Sequence, residues 1–161
     1  MAEQETGQIQ NIQIDFPTIL KGVKNYGEIQ TAIGQAIRDK RQKGIKVGFV
    51  SGPGGENHPD TDIRKKLRDE AMKRMREYTI GLREKHDYPI FASTDIFDTV
   101  WKALEETKLT EEERKPLMIN LFDKILESGI TDIFMMEGWR KAPGAVKEHE
   151  KAEEIGIKIH P

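Results

Sequence analysis

Ile45-Lys46-Val47-Gly48-Phe49-Val50-Ser51-Gly52-Pro53-Gly54-Gly55 is a β-prone run that passes straight into a loop of glycine and proline. Branched and aromatic side chains fit a pleated, buried surface, whereas glycine and proline supply the dihedrals of a turn. A strand that ends this way opens a βα unit. The residues that follow complete it. From about Asp62 to Lys85, Ile63, Leu67, Ala71, Met75, Tyr78 and Leu82 recur at helical spacing among Lys, Arg and Glu. That pattern predicts a helix covering one face of a sheet and meeting water on the other.

Upstream, Ile29, Ala32, Ile33, Ala36 and Ile37 mark a helix from Tyr26 to Lys43, with Gly44 placed to cap it. Downstream, Pro89-Ile90-Phe91-Ala92 reads as a second strand. Thr94 is placed to cap a helix holding Ile96, Phe97, Val100, Trp101 and Leu104. Thr110 and Glu113 have capping-box spacing. Pro116 predicts a break or kink before Leu117, Leu121, Ile125 and Leu126 carry the pattern on to Gly129. Ile133-Phe134-Met135-Met136 is apolar throughout, as expected of a central parallel strand. A loop over Glu137 to Pro143 precedes a helix from about Gly144 to Ile155; Gly156 ends it, and Ile157-Lys158-Ile159 forms a last strand. This alternation predicts an α/β fold: a flavodoxin- or Rossmann-like parallel sheet with helices on both faces, one domain over residues 16–161. Residues 1–15, rich in Gln with Ile9, Ile12 and Ile14 among them, read as a flexible arm or an oligomer contact.

Composition narrows the function. The chain has no cysteine, which removes disulfides, thiol nucleophiles and Cys-based metal sites. Its four histidines, His58, His86, His149 and His160, show no ligand-like i, i+4 spacing, so neither a metal nor a cofactor is expected. A formal net charge of −2 argues against a dedicated nucleic-acid binder. No apolar run approaches the roughly 20 residues that span a bilayer. The start, MAEQETGQIQ, lacks the basic and apolar stretches of a secretory signal, so the cytoplasm is the expected compartment.

In open α/β sheets a ligand crevice lies outside the carboxyl ends of the strands. The loops at Ser51 to Gly55 and Gly138 to Gly144 leave strand ends, and they share one crevice if their strands are neighbours. The first loop either offers backbone N–H groups to an anion or sugar, or is only a tight connection; it is not a Walker A loop. Glu148 falls in the first turns of the last helix. A helix N-terminus favours an ionised carboxylate, the form a glycosidic nucleophile needs, although acidic residues in first turns also serve simply to stabilise helices. Asp123, among Ile119, Phe122 and Leu126, stands either at the edge of a buried face or on a solvated stripe. Trp139 either stacks on a base or plugs the end of the sheet.

Val50-Ser51-Gly52-Pro53, Asp123, Gly138-Trp139 and Gly144-Ala145-Val146-Lys147-Glu148-His149, with Ala152 and Gly156, form a recognisable set. On these residues the chain from about residue 46 onward resembles the nucleoside 2-deoxyribosyltransferase-like superfamily, especially its short phage and bacterial members. The resemblance implies cleavage or transfer of the N-glycosidic bond of a (deoxy)nucleoside or nucleoside monophosphate. It implies Glu148 as nucleophile and Asp123 as an orienting or acid/base carboxylate. Phe49, Ser51, Gly52 and Pro53 would then face the sugar or phosphate, the Trp139 region the base, and Gly144 and Ala145 would complete the binding site. It also implies a homo-oligomer. Two positions depart from the pattern. Thr131 stands where the family has a second Asp, with Asp132 one residue later, and Ala142 stands where monophosphate hydrolases carry Ser. These departures leave open an alternative, a nucleotide-binding or sensing module with catalysis lost. The insertion between Ser93 and Pro116 is expected to reshape the pocket or form a lid.

Overall fold

In the computed structural model, which describes residues 12–54 and 59–161 but not the side chain of Glu111, the run after Ile45 becomes a fully buried strand. In chain order the elements are α1 (Phe16–Ile19), α2 (Tyr26–Gln42), β1 (Gly48–Ser51), α3 (Thr61–Lys85) and β2 (Ile90–Ala92). They continue with α4 (Phe97–Thr107), α5 (Glu111–Glu127), β3 (Asp132–Met135), α6 (Pro143–Ile155) and β4 (Lys158–His160). Single 3-10 turns lie at Ser93–Asp95 and Trp139–Lys141.

All strand pairs are parallel, in the order β2-β1-β3-β4. β1 lies between its two partners: Phe49 is opposite Phe91 on one side and Ile133 on the other, and Ser51 is opposite Met135. Because side chains alternate across a strand, the sheet has two apolar faces. Phe49, Phe91, Ile133 and Met135 join Ile29, Ile33, Ile37, Leu104, Leu121, Ile125 and Ala152 in the larger core, beneath α1, α2, α4, α5 and α6. Val50, Ile90, Ala92, Phe134 and Met136 meet Met75 and, at their margin, Tyr78 and Leu82 of α3. The result is the flavodoxin-like arrangement, with helices on both faces of one parallel sheet.

Gly44 and Gly156 end their helices with φ of +75° and +80°, the left-handed conformation glycine adopts without strain. The capping box at Thr110 and Glu113 is formed. Several expectations are corrected. Pro116 lies inside α5 without ending it. It sits in the second turn, so it removes one N–H bond while the rest of the helix keeps its apolar face against the core. Thr94 does not cap α4. Asp95 does the local work, its Oδ2 accepting from the N–H of Ala92 at 2.8 Å and from Arg83 at 2.9 Å. On α3 the buried stripe is Ala71, Met72, Met75 and Thr79, while Ile63 is 43% exposed, because the first turns of this long helix run past the sheet.

The arm also ends earlier than residue 15. Ile14 packs on the core, and the Gln13 amide pairs with β2, accepting from Ile90 N–H at 2.9 Å and donating to Tyr88 C=O at 3.4 Å. Ile9 and Gly55 lie outside the described residues. Among the described residues, no helix is long and apolar enough to cross a membrane.

Candidate active site

β1 ends at Ser51, whose side chain points the same way as Phe49, toward the face that α6 covers. On α6, Ala145, Glu148 and Ala152 share one side at i, i+3 and i+7 spacing. The two alanines are buried, and their small side chains let the helix lie close to the sheet. Glu148 is thereby presented to the strand end, where Ser51 Oγ donates to its Oε2 at 2.6 Å. Oε1 has no hydrogen-bond partner among the described residues.

The two loops expected to share a crevice do so. β1 and β3 are neighbours, and Met136 N–H donates to Ser51 C=O at 2.8 Å just past the paired register. A Cβ on Gly52 would lie 2.7 Å from Met136 Cβ and 2.8 Å from its Sδ, so only glycine lets the chain pass there. Gly138 has φ +86°, and Pro53 Cγ lies 3.5 Å from where its Cβ would stand. The winding of the chain reverses at this point: α3 leaves to one face and α6 to the other. Such a switch point is where sheets of this kind bind ligands.

The electrostatics differ from the expectation of a carboxylate held ionised by the helix end. Glu148 is the sixth residue of α6, and the helix field fades beyond the first turn. Although part of the residue meets solvent, its carboxyl group is packed among protein atoms. That desolvation raises its pKa to about 7, the Ser51 hydrogen bond pulls it down, and the negative charge of Asp123 adds to the rise. Asp123 on α5 is half-buried and faces α6, not a solvated stripe alone, since its charge also acts on Lys151. Lys151, one turn beyond Glu148, bridges to Glu127 of α5 at 2.6 Å and holds the two helices in register. This lysine was not singled out from sequence, although its i+3 spacing from Glu148 carries the information.

Ser51, Asp123 and Glu148 are therefore brought together, with Gly52, Pro53 and Gly138 around them. Other residues fall elsewhere. Phe49 is fully buried between the Phe91 and Phe122 rings, at 5.3 and 6.0 Å, so it is a core residue and not a ligand contact. Ala145 likewise packs into the core. Gly144 is exposed on α6, with open space where a Cβ would be. Trp139 is half-buried and already engaged: His149 stacks on it at 4.4 Å and Arg140 Cζ lies 4.9 Å from its ring centre. Asp132 cannot stand in for the residue at Thr131. It is buried at the amino end of β3, on the α3 face, bonded to Thr131 at 2.6 Å and His160 at 2.8 Å. Among the described residues, no group of three or more His, Asp or Glu side chains is placed to hold a metal ion.

The chain matches no family model, no curated protein and no solved structure. A carboxyl group that titrates near neutrality, with one oxygen held by a hydroxyl and the other without a partner among the described residues, is suited to attack on carbon or to proton transfer. A second carboxylate beside it can share the proton traffic.

Proposed function

We propose that the protein cleaves or transfers the N-glycosidic bond of a (deoxy)nucleoside or nucleoside monophosphate, with Glu148 as nucleophile. The observation that carries this reading is the Ser51–Glu148 hydrogen bond at the β1/β3 switch point, with Asp123 beside it. Ser51 fixes Oε2 and leaves Oε1 to attack the anomeric carbon. The bond from that carbon to the base nitrogen breaks, its electron pair leaves with the base, and the base is protonated as it departs. Asp123 serves as the acid or as the group that orients it. Water or a second base then attacks the same carbon, the glycosyl ester opens, and the Glu148 carboxylate is regenerated.

Free base released or exchanged from a panel of deoxynucleosides and their monophosphates is the measurement. Glu148→Gln keeps the Ser51 contact and removes the nucleophile, so the rate should fall by orders of magnitude. Attack needs the ionised carboxylate. With a pKa of about 7, kcat/KM should therefore rise as pH increases through neutrality and level off above it. No base from any substrate, or a Glu148→Gln rate within roughly threefold of wild type, would remove the reading.

A second reading, a binding or sensing module without turnover, is favoured by two observations. Thr131 Oγ1 is turned to the Val47 carbonyl and Asp132, and Ala142 gives α6 no side-chain cap. Calorimetry showing tight nucleotide binding with no base released would select it.

A further inference from the structure

Arg83 and Arg68 lie on the same helix and are treated differently. Arg83 has a carboxylate partner, Asp95, at 2.9 Å, and a carbonyl, Ile90, at 2.8 Å. Arg68 has neither. Its Cζ lies 4.9 Å from the centre of the Trp101 ring and 5.7 Å from that of Phe97, two rings stacked on each other at 5.9 Å. Its Nε is closed off from solvent with no hydrogen-bond partner among the described residues. A second guanidinium reaches the same indole from α5: Arg114 Cζ lies 5.6 Å from the Trp101 ring centre. Arg114 Nε donates to the Leu109 carbonyl, and no carboxylate among the described residues pairs with either arginine.

Two like charges are thus held around one ring, within about a Debye length of each other, with no carboxylate paired to either among the described residues. An aromatic face attracts a guanidinium but does not accept its in-plane N–H groups. The arrangement has a definite place. Ser93 Oγ meets Met75 Sδ at 3.3 Å, which sets Met75 level with the end of β2. Arg68 lies seven residues earlier, about 10 Å farther along α3 and beyond the carboxyl edge of the sheet. Arg114 lies nine residues before Asp123, about 13 Å along α5.

We propose that Arg68 and Arg114, held against Trp101, form a binding site for an oxyanion of the phosphate class, separate from the Glu148 crevice. A carboxylate offers two coplanar oxygens and is filled by one guanidinium fork. A phosphate or diphosphate offers oxygens in several directions and can accept from two forks on different helices. The anion comes either free or as the phosphate of a larger ligand.

The test is calorimetry on the whole chain with diphosphate, inorganic phosphate, a deoxynucleoside 5′-monophosphate and the matching deoxynucleoside. One anion should bind per chain. Arg68→Gln and Arg114→Gln should each weaken it about tenfold or more, the loss expected for charge-assisted hydrogen bonds. Arg76→Gln, an exposed arginine on the same helix, should leave it unchanged. A monophosphate that binds more tightly than inorganic phosphate marks a phosphorylated ligand; equal binding marks the free ion. Where Arg68→Gln does not fold, Arg68→Lys keeps the charge without the fork and should give an intermediate loss. Emission of Trp101, isolated in a Trp139→Phe background, should change with bound anion. The proposal is overturned by no binding to wild type at about 10 mM anion. It is equally overturned if Arg68→Gln binds as wild type does, or if Arg76→Gln weakens binding as much. None of these readouts requires turnover, so they stand or fall apart from the glycosidic reading.

Discussion

Glu148 carries an energetic load that its burial explains. Its folded pKa is about 7 against 4.5 for an ordinary side chain, with burial the main cause. Between those values the folded protein holds a proton that the unfolded chain has released. The stability tied to this proton is complete below about pH 4.5 and is lost as pH rises through about 7. Glu148→Gln stays neutral and keeps an acceptor for Ser51. At about pH 8 it should be more stable than wild type by up to about 3 kcal/mol, and near pH 4 the difference should vanish. Urea denaturation at the two pH values measures it; equal stabilities at pH 8 would mean that the carboxyl group is solvated. A group that weakens the fold while poised at the switch point fits a site kept for function. Ser51 was legible because an unusual loop leaves its strand end there, and Glu148 through the motif that opens the last helix. Phe49 was not, since the same β-run supplies both the loop and the core, and only the facing of its side chain separates them. The stacking partners of Trp139 were equally hidden, as they depend on the turn between β3 and α6.

Elements were legible where one face faces the core. The stripes of α2 and α5, the Thr110–Glu113 box and the glycine caps all state local preferences that the fold keeps. The α3 stripe was read about two turns too far, because periodicity does not tell how far a helix outruns its sheet. Pro116 misled in the other direction. Its local penalty is outweighed by the burial of Leu121, Ile125 and Leu126 farther along the same helix. Pro116→Ala returns an N–H to α5 and should stabilise the protein by about 1–3 kcal/mol, read from the urea midpoint. Gly52→Ala should act in the opposite sense. Its Cβ meets Met136 at 2.7 Å, so the strand end must shift, costing about 1–3 kcal/mol and displacing Ser51 from Glu148. A Gly52→Ala variant as stable as wild type would mean that Met136 moves aside freely.

At the scale of the molecule, the sheet has two open sides, and the β2 side is managed by side chains. Gln13 pairs with Tyr88 C=O and Ile90 N–H, Arg83 donates twice to Ile90 C=O, and Asp95 accepts from Ala92 N–H. Removing Gln13 and Arg83 together as alanines should lower stability by about 2–3 kcal/mol and raise light scattering on storage. Scattering no different from wild type would show that this edge needs no guard. With those three side chains in place, the Ile90 N–H, the Ile90 C=O and the Ala92 N–H of β2 are already taken. Polypeptide that would otherwise template on this border, from another copy or from a half-folded neighbour, meets a counterfeit partner that is already seated.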